Sequence, residues 1–111
     1  MKNKNLELLS EIATESHARI QQDFKDINPM VGVNQNMREM GVPADVMTVD
    51  CLKSGKRIIL ILHDHHPDII RYQFSFKDKD PDENFEQIQF KELTANKLYD
   101  WIEHYFQTTI N

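Results

Sequence analysis

Hydrophobic residues recur with the period of an α-helix in two segments, one near each end of the chain. In the first segment the apolar positions are Leu6, Leu9, Ala13, Ile20, Phe24 and Ile27. This spacing predicts an amphipathic helix over about 6–26, with Asn5 as its N-cap. The second segment predicts a helix over about 95–107 capped by Thr94, and its stripe is Leu98, Trp101, Ile102, Tyr105 and Phe106.

Between these helices the hydrophobic period changes to two, which is typical of β-strands. Four strands are predicted, over about 46–52, 57–63, 69–76 and 85–90. A two-residue turn at Ser54-Gly55 would join the first two as a hairpin. That turn sets the predicted register, with the pairs Cys51–Ile58, Val49–Leu60 and Met47–Leu62.

Two segments lack a clear period. Residues 28–45 contain two prolines and two glycines, and we expect them to be irregular, with Asn34 capping a short helical turn that Gly41 closes. The methionines of this region predict either an adaptable binding lip or gap-filling core, and they are Met30, Met37, Met40 and Met47. The charged stretch 77–84 predicts an exposed, mobile loop.

The predicted fold is a single α+β domain over residues 1–111. Its order is N-terminal helix, irregular segment, four-stranded antiparallel meander and C-terminal helix. We expect both helices to pack mainly on one face of the sheet, because that face carries the larger apolar side chains, namely Val49, Leu60, Leu62, Tyr72, Phe74 and Phe90.

Composition narrows the class of protein. The chain has 111 residues, 40% of them hydrophobic and 28% charged, and no apolar run near the roughly 20 residues that cross a bilayer. The first residues lack a continuous apolar segment, so we expect no signal peptide, and the single Cys51 suits a cytoplasmic location. The net charge of −5 opposes binding to nucleic acid or to anionic membranes.

The sheet face opposite the helices is predicted to bind a partner. It would carry Ile59 and Ile61 among polar residues, and the candidate contact residues are Ile59, Ile61, His63, Arg71 and Gln73. A small aliphatic centre with a polar rim suits a homodimer or another protein partner. Three covers for this face remain open at this point: one of the helices, the irregular segment, or a second subunit.

The stretch LHDHHPD, residues 62–68, carries three of the five histidines. His63 and His65 lie two apart on an extended segment, so their rings point the same way, and with Asp68 they form a candidate metal site that suits zinc. His63 is also a candidate general base. The alternative is a polar turn made by His66-Pro67-Asp68, because proline favours the second position of a turn.

Motifs for covalent or phosphate chemistry are absent from the sequence, and Cys51 falls on the predicted core face. The sequence therefore favours binding over catalysis.

We predict a small bacterial-type accessory protein that acts as a protein-interaction or regulatory module, with no cofactor. The alternative is a metal-dependent or histidine-based enzyme, or a small-ligand binder, centred on HDHHPD. In size, charge and α+β content the chain is similar to small acidic bacterial accessory proteins such as secretion chaperones, immunity proteins and antitoxins, a likeness that assigns no functional residue.

Overall fold

The structure is a computed structural model that describes residues 4–24 and 27–107. In chain order the described residues form α1 (Lys4–Asp23), β1 (Pro29–Asn34), α2 (Asn36–Glu39), β2 (Ala44–Cys51), β3 (Lys56–His63), β4 (Ile69–Phe76), β5 (Glu86–Gln89), a 3-10 turn (Phe90–Glu92) and α3 (Ala95–Gln107). The class is α+β, as predicted. No helix within these described ranges is long and apolar enough to cross a membrane.

The described strands form one antiparallel sheet in the order β1-β2-β3-β4-β5. The prediction of four strands is wrong by one, because the segment expected to be irregular contains β1. Pro29 occupies the first position of this edge strand, where no N–H is needed from it, and five of the six residues are exposed. Since both faces of β1 are largely exposed, its sequence lacks the alternation that marks a half-buried strand. β2 to β5 begin and end within two residues of the predicted spans.

The hairpin between β2 and β3 has a longer turn than predicted. Four residues, 52–55, connect the strands, and Gly55 adopts a φ of 77°, which favours glycine. The Gly55 N–H donates to the Cys51 carbonyl at 2.8 Å. Val49 therefore pairs with Ile58, not with Leu60. A shift of two residues leaves every side chain on its predicted face, because the strand period is two.

One face of the sheet, here called the inner face, packs against α1 and α3. The buried cluster joins Leu9 and Ile20 of α1, Leu98 and Ile102 of α3, and the inner-face residues Met47, Val49, Cys51, Ile58, Leu60, Leu62 and Ile70. Thr94 caps α3 as predicted, since the Lys97 N–H donates to its hydroxyl at 3.1 Å. Phe74 departs from the prediction, because it is 42% exposed, and its ring contacts Tyr72, Trp101 and Tyr105 at the margin of the core.

Polar contacts fix the two helices to the rest of the fold. The Ser16 hydroxyl of α1 lies 2.8 Å from the Ala95 carbonyl at the start of α3. Buried Lys56 donates from Nζ to the Tyr105 carbonyl at 2.8 Å, which satisfies a free carbonyl in the last turn of α3. The Tyr99 hydroxyl donates to Asp23 at 2.6 Å, and this bond raises the pKa of Tyr99 to about 12. These bonds orient α1 and α3 on the inner face and leave the opposite face to other elements.

Candidate binding groove on the outer face of the sheet

The outer face of the sheet, opposite α1 and α3, carries the residues assigned to partner binding from the sequence: Ile59, Ile61, His63, Arg71 and Gln73. Ile59 pairs with Gln73, and Ile61 pairs with Arg71, across β3 and β4. His63 pairs with Ala44, whereas the predicted register, which pairs Met47 with Leu62, would have set it opposite Val46. The structure therefore brings these five residues to one face of two neighbouring strands.

The charged loop 77–85 covers the centre of the outer face. The Gln73 carboxamide donates to the carbonyls of Asp82 and Asn84 at 3.1 and 2.9 Å, and it accepts from the Asp82 N–H at 3.0 Å. Beneath the loop Ile59 is only 5% exposed and Gln73 only 8%. Gln73 thus holds the chain's own loop, an arrangement that the sequence did not indicate. Residues 77–84 are exposed as expected, but three hydrogen bonds with Gln73 fix the loop backbone at Asp82 and Asn84.

A groove remains open between this loop and α2, and we call it the outer-face groove. Met37 of α2 forms one wall, Phe85 of the loop forms the other, and half-buried Ile61 lies between them on the floor. Two adjoining cavities of about 530 and 320 Å³ share these three residues. The larger, called the upper cavity, also contacts Val33, Val46, Thr48, Ile59, Arg57 and Pro81. The smaller, called the Arg71 pocket, also contacts Val42, Ala44, Ile69, His63, His66 and Arg71.

The two arginines of the groove differ in their partners. Arg57, in the upper cavity, donates to both oxygens of Asp50 at 2.6 and 2.9 Å, and this carboxylate raises the pKa of Arg57. The side chain of Arg71 is exposed and forms no ion pair or hydrogen bond with any other described residue. The positive charge at the Arg71 pocket is therefore available to a ligand, whereas the charge in the upper cavity is neutralised.

His63 and His66 add nitrogen donors at the Arg71 pocket. Their ring centroids lie 5.5 Å apart, and a bond from the His66 N–H to the His63 carbonyl (3.0 Å) holds the turn that carries them. The His63 Nδ1 accepts from the His65 N–H at 3.1 Å. His65 itself is exposed and does not line this pocket.

The candidate metal ligands are only partly brought together. The rings of His63 and His65 lie 5.1 Å apart, as expected for alternating residues. Asp68 is exposed, and its carbonyl accepts from the Phe90 N–H at 2.8 Å, which ties the turn to the end of β5. Across residues 4–24 and 27–107, no three histidine, cysteine, aspartate or glutamate side chains are placed to hold one metal ion.

A second polar cluster, here called the Arg38 clamp, lies beside the groove and involves the remaining carboxylate of HDHHPD. Arg38 of α2 donates to both oxygens of Asp45 at 3.0 Å each and to both oxygens of Asp64 at 2.8 and 3.0 Å. These bonds lower the pKa of Asp64 and raise the pKa of Arg38. The clamp also lines a separate cavity of about 590 Å³ that the first turn of α1 borders. Its physical effect is to hold α2, and hence Met37, against β2 and the histidine turn.

Met37 and Phe85 are groove residues that the candidate contact set omitted. Phe85 offers one signal in the sequence, since it is the only large apolar residue between Phe76 and Ile88. In the sequence Met37 is marked only as one of the methionines in and near the irregular segment. Of those methionines Met47 is buried in the core, whereas Met30, Met37 and Met40 are exposed.

The chain was compared with models of protein families, with curated proteins and with solved structures. None of these three comparisons finds a match to the chain.

Proposed function

We propose that the protein is a protein-interaction module whose outer-face groove binds an extended apolar segment of a partner protein. The observation that carries the proposal is the apolar floor at Ile61 between the walls formed by Met37 and Phe85. Contiguous exposed apolar surface of this kind marks sites of association in proteins that are otherwise charged outside. The groove is open along two adjoining cavities, which suits a length of chain better than one small molecule.

The groove is built in a way that supports binding. Gln73 fixes the loop that forms one wall, and Arg38 fixes the helix that forms the other, so little order has to be gained when a partner arrives. Met37 gives the second wall an unbranched, polarisable side chain that adapts to different partners. The described residues lining the two cavities include no carboxylate and no thiol. The lining therefore offers no thiol nucleophile for covalent chemistry, and its His63 and His66 have no carboxylate partner within the two cavities, which supports binding.

We also propose that two copies of the chain associate through the free edge of β1. Met30, Val31 and Val33 are exposed there, and an exposed apolar edge strand is a template for pairing with another strand. β1 carries no charged side chain, so two copies can meet there without repulsion although each chain has a net charge of −5. Antiparallel pairing about Gly32 would set Val31 of one copy opposite Val33 of the other. β5, at the opposite edge of the sheet, carries Glu86.

A phage-displayed library of random 12-residue peptides tests the groove. We expect selection on the wild-type protein to enrich apolar peptides that no longer bind Ile61→Lys, because the lysine charge occupies the groove floor. Leu52→Lys is the matched control, since Leu52 is exposed in the β2–β3 turn and lines neither cavity. The selected peptides should bind that variant as they bind the wild type.

Folding of the variants is checked by thermal melting. If Ile61→Lys unfolds, Met37→Glu replaces it, because Met37 is an exposed wall residue outside the sheet. Failure to enrich any peptide, or peptides that bind the wild type and a folded groove variant equally, would contradict the proposal.

A further inference from the structure

We infer that the Arg71 pocket recognises an apolar side chain that stands next to a carboxylate in the partner. The inference rests on the proposed function and names the chemistry of the partner segment. The pocket measures about 320 Å³, at the low end for small-ligand sites, which suits one large side chain. Its walls include Met37, Ile61, Ile69 and Phe85, and Arg71 lies at the same pocket with His63 and His66.

Arg71 differs from the other arginines of the chain. Arg19 lies 3.6 Å from Glu15, Arg38 binds Asp45 and Asp64, and Arg57 binds Asp50. Arg71 has no such carboxylate among the described residues. The chain has 18 acidic residues, yet Arg71 pairs with none of those that the structure describes, so its guanidinium is free to donate hydrogen bonds to a ligand carboxylate beside the apolar pocket. Guanidinium groups bind carboxylates through two parallel hydrogen bonds.

The two aspartates of the preceding turn, Asp64 and Asp68, do not occupy the carboxylate-binding position beside Arg71. Asp64 lies between His63 and His65 in the chain, but both of its oxygens accept hydrogen bonds from Arg38. Asp68 does not line the pocket. The residue beside Arg71 on β5 is Gln87, which is uncharged. The lining of the pocket therefore presents cationic and nitrogen-donor groups without a carboxylate, which complements an acidic partner segment.

The strand register aligns the two parts of this recognition. Arg71 pairs directly with Ile61, so the guanidinium stem and the groove floor lie side by side on the outer face. Side chains directly opposite on antiparallel strands have Cβ atoms about 5 Å apart. A ligand that inserts an apolar group over Ile61 therefore brings an attached carboxylate within reach of Arg71.

Two ligands that differ only in this charge test the inference. N-acetyl-tryptophan carries a carboxylate, and N-acetyl-tryptophanamide replaces it with a neutral amide. Each is titrated into the ¹⁵N-labelled full chain while the backbone amide shifts of β3 and β4 are followed by NMR. We expect the carboxylate to bind about three- to tenfold more tightly than the amide, the range of a partly exposed charge-assisted pair.

Three variants assign the effect. Arg71→Gln should bind both ligands with the affinity of the neutral amide, and Ile61→Ala should weaken both ligands by a similar factor. Arg19→Gln, an exposed arginine on α1, should leave both affinities unchanged.

Equal affinity of the two ligands for the wild type, or an unchanged preference in Arg71→Gln, would overturn the inference. Absence of shifts at the pocket would do the same. Selected peptides that need Ile61 but contain no acidic residue would leave the groove proposal standing and remove this one.

Discussion

Arg38 and Asp64 are joined by two hydrogen bonds of 2.8 and 3.0 Å, although they lie 26 positions apart in the chain. The same guanidinium binds Asp45, whose side chain is 1% exposed, while that of Asp64 is 42% exposed. One arginine thus holds a buried and an exposed carboxylate. The short helix that carries Met37 depends on this arrangement for its position beside the groove.

The difference in burial predicts unequal effects of neutralising the two carboxylates. Asp45→Asn should lower the free energy of unfolding by about 2 kcal/mol, because it removes charge-assisted hydrogen bonds from a site that water does not reach. Asp64→Asn should cost less than about 1 kcal/mol, since solvent competes for the exposed pair. Urea denaturation of both variants measures the two costs. Equal losses would show that burial does not control the strength of the clamp.

The clamp also predicts how stability depends on pH. Arg38 lowers the pKa of Asp64 below its usual value of 3.8 in the folded protein. A carboxyl group with a lowered folded-state pKa contributes its full stability above the unfolded value and loses it as the pH falls through the folded value. The stability difference between the wild type and Asp64→Asn should therefore be constant from pH 7 to about pH 4 and shrink below it.

Urea midpoints of both proteins, taken from pH 7 to pH 2.5, provide the measurement. A difference that is already lost between pH 6 and pH 5 would assign the effect to another titrating group. A difference that persists unchanged to pH 2.5 would mean that Asp64 makes no ionic contribution.

The sheet faces were predictable from the sequence because a period of two survives errors of register. Val49 pairs with Ile58, two residues from the predicted partner, yet both side chains remain on the inner face. The same robustness placed Ile61 and Arg71 together on the outer face. β1 was not predictable in this way, because neither of its faces is buried enough to impose an alternating pattern.

The groove walls depend on contacts that no local pattern encodes. Gln73 resembles any polar residue of a strand, and only the fold shows that its amide holds Asp82 and Asn84. Likewise the HDHHPD cluster suggested metal ligands by its residue types and by the spacing of His63 and His65. Its aspartates instead fix the turn, Asp64 through Arg38 and Asp68 through its backbone carbonyl. Long-range side-chain pairing of this kind follows from tertiary structure and leaves no periodic signal.

Gln73 controls the loop wall of the groove, and its replacement should release that wall. Gln73→Met keeps the length of the side chain but removes every hydrogen bond to the loop, at a cost of about 1–2 kcal/mol. The Asp82 amide, which donates to Gln73 in the wild type, should exchange with solvent deuterium faster in the variant. Gln87→Met is the control, because Gln87 is an exposed amide on the same face of β5. Unchanged exchange at Asp82 would show that the loop holds its place without Gln73.

The exposed apolar edge of β1 predicts that two copies of the chain pair there, and that a lysine introduced at this edge abolishes the pairing. Pairing two copies through Val31 and Val33 makes a symmetric contact, so the mass measured by light scattering should rise with concentration toward twice the 13.1 kDa of one chain. Val31→Lys and Val33→Lys each place like charges near the two-fold axis, and both variants should stay monomeric at every concentration. Neither change should lower the free energy of unfolding by more than about 0.5 kcal/mol, because both side chains are exposed and belong to an edge strand.

Leu52→Lys adds the same charge away from this edge, and this variant should associate like the wild type. A dimer that survives both valine substitutions would place the contact elsewhere, and a wild-type protein that remains monomeric at millimolar concentration would exclude it.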